Sequence, residues 1–115
     1  MLTTSFFAQK SEENAIIHIF RPKSISGMGW DHKIYIDGEK FVTLKNKDYQ
    51  TINVEPGKRE ILLKSLGKDI IKIDLEAGKE YYFQTYFKSG LLVQKPQLVE
   101  TTESFALNEI KQIKM

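Results

Sequence analysis

The sequence predicts an all-β fold: an antiparallel sandwich of about seven or eight short strands, immunoglobulin-like or prealbumin-like, with one short C-terminal helix. Three observations carry this. Short runs rich in Ile, Val, Tyr, Phe and Thr recur along most of the chain. Turn-forming residues punctuate them about every 8–12 positions. Only the C-terminal stretch changes to a helical period. The 115 residues suit one domain and are few for two. A chain of this size buries roughly 65% of its unfolded surface, enough for a core without covalent staples. Its 41% apolar and 28% charged content is globular usage rather than disorder.

Residues 1–13 read as an N-terminal tail and 14–115 as a single sandwich domain. The tail opens with "LTTSFFAQKSEE". Ser5-Phe6-Phe7-Ala8 followed by Gln9 resembles the end of a bacterial export signal, although the basic start and long apolar stretch of such a signal are missing. On this reading residues 1–8 are a signal remnant and the mature chain begins at Gln9. The plainer alternative is a frayed tail on a cytoplasmic protein.

The first strand, Ile16 to Arg21 in "NAIIHIFRP", ends at Pro22, which cannot donate to a ladder. "HKIYIDGEKFVTL" is the clearest hairpin, because Ile34 and Ile36 alternate with Tyr35 and Asp37, and Gly38 accepts the positive φ that a tight turn demands. "YQTINVEPGKREILLKS" reads as a second hairpin turning at Pro56-Gly57. "DIIKIDLEAGKEYYFQTYF" reads as a third, turning at Ala77-Gly78. "GLLVQKPQLVE" is one broken strand whose Pro96 argues for a sheet edge or bulge. In the tail, Leu107, Ile110 and Ile113 recur at three-residue spacing beside Ala106, predicting an amphipathic helix over 103–113 with a Thr or Ser cap before Glu103. "IIKI" and "ILLK" carry apolar residues on both faces, so either that helix or a dimer covers their outer side.

Several chemistries find no footing. The chain has no cysteine, which excludes disulfides, thiolate zinc sites and cysteine nucleophiles. Seventeen basic against fifteen acidic residues is too balanced to suggest nucleic acid, and no apolar run approaches the ~18 residues of a membrane span. The turns "EPGKRE" and "EAGKEY" are each followed by a strand, not the helix that a phosphate loop uses, so they read as repeated turn chemistry. His18 and His32 stand apart, on a strand and in a loop, without companions for a metal site. No serine has nucleophile-elbow flanks. No catalytic residue, cofactor or metal ligand is therefore expected, and the protein is read as a non-enzyme.

Two features exceed structural need. The connection "KSISGMGWDH", residues 23–32, carries Met28 and the only tryptophan, Trp30. Exposed, it would form a contact tip; the preferred expectation is that Trp30 folds back over the end of the sandwich. In the aromatic run after Ala77-Gly78, alternation places Tyr81, Phe83, Thr85 and Phe87 on the core face and Tyr82, Gln84 and Tyr86 on the other. With Tyr35 on a neighbouring strand, Tyr82 and Tyr86 would make a patch for glycan or peptide; packing beneath lysines or the helix is the plainer expectation.

The order of these pieces resembles a bacterial domain of unknown function, number 2846. The strand ending in Arg21-Pro22, the Ile36-Asp37-Gly38 hairpin, the Pro56-Gly57-Lys58 turn and the Leu75-to-Tyr82 segment carry the resemblance, which spans about residues 15–112. It implies a β-sandwich and a cell-envelope location, with members mostly small lipoproteins or secreted proteins, and it implies no activity. This chain lacks the lipid-anchor Cys of many members, so a periplasmic or secreted form is expected. The resulting expectation is a non-catalytic envelope module that contacts an envelope protein or the cell wall, with a small-ligand or glycan-binding module as the alternative.

Overall fold

The computed structural model describes residues 14–25, 29–89 and 94–115; the tail, including the suspected signal remnant, and Met28 lie outside them. Among the described residues eight strands are followed by one helix: β1 (Ala15–Arg21), β2 (His32–Ile36), β3 (Glu39–Leu44), β4 (Asp48–Val54), β5 (Gly57–Lys64), β6 (Lys68–Leu75), β7 (Glu80–Ser89), β8 (Gln94–Glu100) and α1 (Glu103–Lys114). They form two four-stranded sheets, ordered β4-β1-β7-β8 and β3-β2-β5-β6. All neighbours run antiparallel except β1 and β7, which are parallel. The architecture is the expected β-sandwich.

The two-residue period makes the sandwich. Ile17 and Ile19 of β1, Ile34 and Ile36 of β2, Ile61 and Leu63 of β5 and Phe83 of β7 all turn inward and are buried. Each such side chain contributes about 1.5–3 kcal/mol by leaving water. Asp37 (φ 50°) and Gly38 (φ 84°) give the β2–β3 turn its two left-handed residues, the type I′ geometry that matches strand twist. The Asp37 carboxylate reinforces this turn, accepting from Glu60 N at 2.9 Å and Arg59 Nη1 at 3.0 Å. Those bonds hold its pKa below the ordinary value, the Glu60 amide contributing most.

Two expected hairpins are not hairpins. β4 pairs with β1 while β5 pairs with β2 and β6, so Pro56-Gly57 turns the chain from one sheet to the other. Ala77-Gly78 likewise carries the chain across, from β6 to β7. Gly57 (φ 118°) and Gly78 (φ 75°) reverse the chain as expected; a reversal specifies direction, and only the strands' apolar faces specify the partner. β5 and β6 instead make a hairpin through Ser65-Leu66-Gly67, closed by Ser65 N donating to Gly67 O at 2.8 Å. β8 is the edge that Pro96 implied. There the Asp69 carboxylate of β6 accepts from Leu98 N at 2.8 Å and ties the two sheets together.

Thr102 caps α1, its hydroxyl accepting from Phe105 N, an arrangement typically worth about 1 kcal/mol. The helix buries Ala106 and Ile110 against Phe20 and Tyr82, with Tyr49 and Ile113 at the margin. Leu107, expected on this face, is exposed, because 106, 110 and 113 define a stripe that leaves 107 about 100° away. α1 therefore lies on the outer face of the β4-β1-β7-β8 sheet. It does not cover the "ILLK" and "IIKI" strands, which belong to the other sheet.

Candidate interaction site

At one end of the sandwich residues 22–25 and 29–31 of the first connection meet the connections 45–47 and 65–67 over a buried polar cluster. Arg21 continues the inward series Ala15, Ile17, Ile19 and is 2% exposed. Its Nη1 donates to Trp30 O at 2.7 Å and to Leu44 O at 3.0 Å, so one guanidinium links the long connection to the end of β3. Desolvation lowers the Arg21 pKa, with Asp31 and Asp48 acting in the opposite sense; the group nonetheless stays charged.

His32 extends the inward series of Ile34 and Ile36 and is fully buried. Its Nδ1 pairs with Thr85 Oγ1 at 2.8 Å, and its ring meets Phe87 edge-on at 4.8 Å between centroids. Nε2 has no hydrogen-bond partner among the described residues. Desolvation first, and then the Arg21 charge, lower its pKa to about 4. The imidazole is therefore neutral at neutral pH.

This cluster presents the connection above it. Ser24 N donates to Asn46 Oδ1 at 3.0 Å. Lys45 Nζ donates to both Asp31 oxygens at 2.9 Å, and that contact is the largest reason the Asp31 pKa is lowered. Trp30 is thus held by its carbonyl and by its neighbour Asp31 while its side chain remains 54% exposed. The expected fold-back is corrected: the backbone is anchored inward and the indole stays accessible. Beside it, Leu66 is 53% exposed and adopts φ 56°, a conformation a bulky residue disfavours. Trp30, Lys33, Lys64, Ser65 and Leu66 line a shallow depression of about 350 Å³, and Ile25 is exposed nearby in the sequence of the same connection.

Other sites expected from sequence separate. Tyr82 lies 7% exposed under α1, its hydroxyl donating to Glu103 at 3.3 Å; burial, then Glu103 and Glu80, raise its pKa. Tyr86 is on the same sheet and borders on exposed. Tyr35 is on β2, in the other sheet, with its side chain pointing away from the core. The three tyrosines form no joint patch, because β2 and β7 are not neighbours.

The outer face beneath α1 contains one arrangement with the outline of a catalytic relay. His18 Nε2 meets Glu80 at 2.6 Å and its Nδ1 meets Thr51 Oγ1 at 3.3 Å. The Thr51 hydroxyl, however, donates to Tyr49 OH at 3.0 Å, and the imidazole stacks between Tyr49 and Tyr82 at 6.4 and 4.7 Å. These bonds join β4, β1 and β7, three neighbouring strands of one sheet. A larger depression of about 410 Å³ opens at the opposite end beside Asp37, Arg59 and Asp74; Arg59 there is committed to Asp37 and to the carbonyls of Glu55 and Pro56. Among the described residues no group of three or more His, Asp or Glu side chains is placed to hold a metal ion, and no helix is long and apolar enough to cross a membrane.

Sequence reasoning found Trp30 and missed Arg21, His32 and Leu66. The inward parity of 15-17-19-21 and of 32-34-36 is the signal that locates the first two; Leu66 carries none.

A model of the family described as a protein of unknown function, DUF2846, matches residues 11–97. No curated protein and no solved structure matches the chain significantly.

Proposed function

The chain belongs to the DUF2846 family of proteins of unknown function, and from that premise we propose that it is a non-catalytic interaction module of the bacterial cell envelope, periplasmic or secreted, that grips a protein partner through the Trp30–Leu66 tip. The observation that carries this reading is the pairing of a pinned backbone with an accessible indole at Trp30. A preordered aromatic anchor loses little freedom on binding, and Trp is enriched among residues that dominate interface energies. Leu66, in its disfavoured backbone conformation, adds an aliphatic neighbour at a place where strain accompanies function. The envelope location rests on the resemblance to exported members and on the Ala8–Gln9 junction.

The experiment is site-specific photo-crosslinking in the native host, with the probe at position 25 and, as control, at Ser104 on α1. A discrete adduct from position 25 is expected, reduced more than about tenfold by Trp30→Ala, since anchor truncations typically cost about 2 kcal/mol or more of binding. The melting temperature of Trp30→Ala should stay close to that of the parent, because the indole is half-exposed. Equal adducts from both positions, or one indifferent to Trp30→Ala, would sink the tip reading. N-terminal mass and cell fractionation test the location separately: a chain that starts at Met1 in the cytosol removes it.

A further inference from the structure

The sheet that α1 leaves uncovered has its own chemistry. On the outer face of β3-β2-β5-β6 stand Lys33, Lys40, Lys58, Lys64, Lys68 and Lys72. All six are exposed, and none is ion-paired among the described residues, whereas Lys45, Lys79 and Arg59 elsewhere are. Among the described residues only Glu60 and Asp74 offset them on this face. The near-neutral net charge of the chain conceals this.

Through the middle of the lysines runs an apolar row. Tyr35 lies opposite Leu62, and Leu62 opposite Ile70, three side chains in line across three strands, about 10 Å from end to end at the ordinary strand spacing. Lys40 continues the row beyond Tyr35. Ile70 is 42% exposed.

We propose that this face docks on an anionic phospholipid bilayer, with the lysines at the headgroup phosphates and the Tyr35–Leu62–Ile70 row at the headgroup–acyl boundary. Charge complementarity selects an anionic partner. The row selects the bilayer: Leu62 and Ile70 are aliphatic and gain by partial insertion, whereas single-stranded nucleic acid calls for several aromatic stacking platforms and this face has one ring among the described residues. A second copy of the chain is disfavoured because it would set six lysines against six. On the helix-bearing side Glu80, Glu100 and Glu103 are balanced by Lys88, Lys95, Lys111 and Lys114, so the unbalanced lysine face orients the molecule and leaves α1 away from the lipid. Lys33 and Lys64 also border the tip depression, so the variants that test this docking avoid those two lysines as well as Trp30 and its neighbours.

The test is flotation of the full chain with vesicles of equal phosphatidylglycerol and phosphatidylcholine, against vesicles of phosphatidylcholine alone. Partitioning to the anionic vesicles should be tighter by about tenfold or more and should collapse at high salt. Lys40→Glu with Lys72→Glu should weaken it more than about tenfold. Lys95→Glu with Lys111→Glu, the same change of net charge on the other side, should leave it within about twofold. Ile70→Ser should weaken it severalfold while leaving its salt dependence intact. Equal partitioning to both vesicles overturns the proposal, as does no binding to either. So do equal losses from the two lysine pairs, a preference for single-stranded RNA homopolymer at the same salt, or a solution dimer by sedimentation in which Leu62 is covered.

Discussion

Lowering the pH from about 7.5 to about 4.5 is expected to destabilise the fold by roughly 2–3 kcal/mol through His32 alone. In the unfolded chain its imidazole takes a proton near the ordinary value of 6.5; in the folded chain it does so only near 4. Between those values the unfolded state binds the proton and the native state does not, so stability falls as pH falls. Above 6.5 both states are neutral and the contribution is complete. Below 4 both are protonated and the loss levels off. The physical source is a fully buried ring with Nδ1 on Thr85, no partner for Nε2 and the Arg21 charge close by. Asp31 and Asp37, whose carboxylates are held below their ordinary value of 3.8, lose their stabilisation at lower pH, below the chosen interval. Urea unfolding at the two pH values measures it. His32→Asn, which keeps a polar group toward Thr85 but cannot titrate, should lose less than about 1 kcal/mol over the same interval. An undiminished loss in His32→Asn, or a folded-state titration of His32 near 6.5 by NMR, would refute the account.

Replacing Arg21 should have the largest effect of any single polar substitution. Arg21→Ala is expected to cost about 3–5 kcal/mol, because it opens a cavity at a 2%-exposed position and strips the donor from two carbonyls. Arg21→Met separates the causes: it refills most of the space but leaves Trp30 O and Leu44 O without the guanidinium, for about 2–3 kcal/mol. Arg21→Lys should recover only part of this, since a point charge replaces a planar fork that reaches both carbonyls. Denaturant midpoints read the stability, and the fluorescence anisotropy of Trp30 reads the second consequence. With its carbonyl released, the indole should gain motion even where the fold survives. Anisotropy unchanged in Arg21→Met would show that the connection is held without Arg21, by contacts such as Asp31–Lys45 and Ser24–Asn46.

The strands and the helix were legible because their signals are local. Alternation in "IIHIF" and "KIYI", the Asp37-Gly38 turn and the Thr102 cap are each decided by neighbouring residues. Sheet membership was not legible, since Pro56-Gly57 reverses the chain equally well within a sheet or between sheets. That error misplaced Tyr35 beside Tyr82: the two share an outward parity but not a sheet. Trp30 announced itself by composition, whereas its supports Arg21 and His32 looked like ordinary polar residues near a loop. Only their parity with buried isoleucines marks them, and polarity argues against trusting it. Leu66 was illegible for the opposite reason, being an apolar residue in a turn that its own backbone preference opposes.

The parallel pairing of β1 with β7 dictates when the molecule can come together. β2 with β3, and β5 with β6, are joined by short turns and close cheaply as hairpins. β1 is different: it sits in the middle of its sheet, between β4 and β7, and its Ile17 waits for Tyr81 until most of the chain has left the ribosome. During that interval one side of an isoleucine-rich strand is an open template for another molecule. Long-range pairing of this kind belongs with folding in milliseconds to seconds, not microseconds. Refolding followed by stopped-flow tryptophan emission reads that rate, and a microsecond phase that completes the signal would contradict it. The first strand made is among the last to be finished on both sides, and the chain's solubility during synthesis depends on how long β1 must wait.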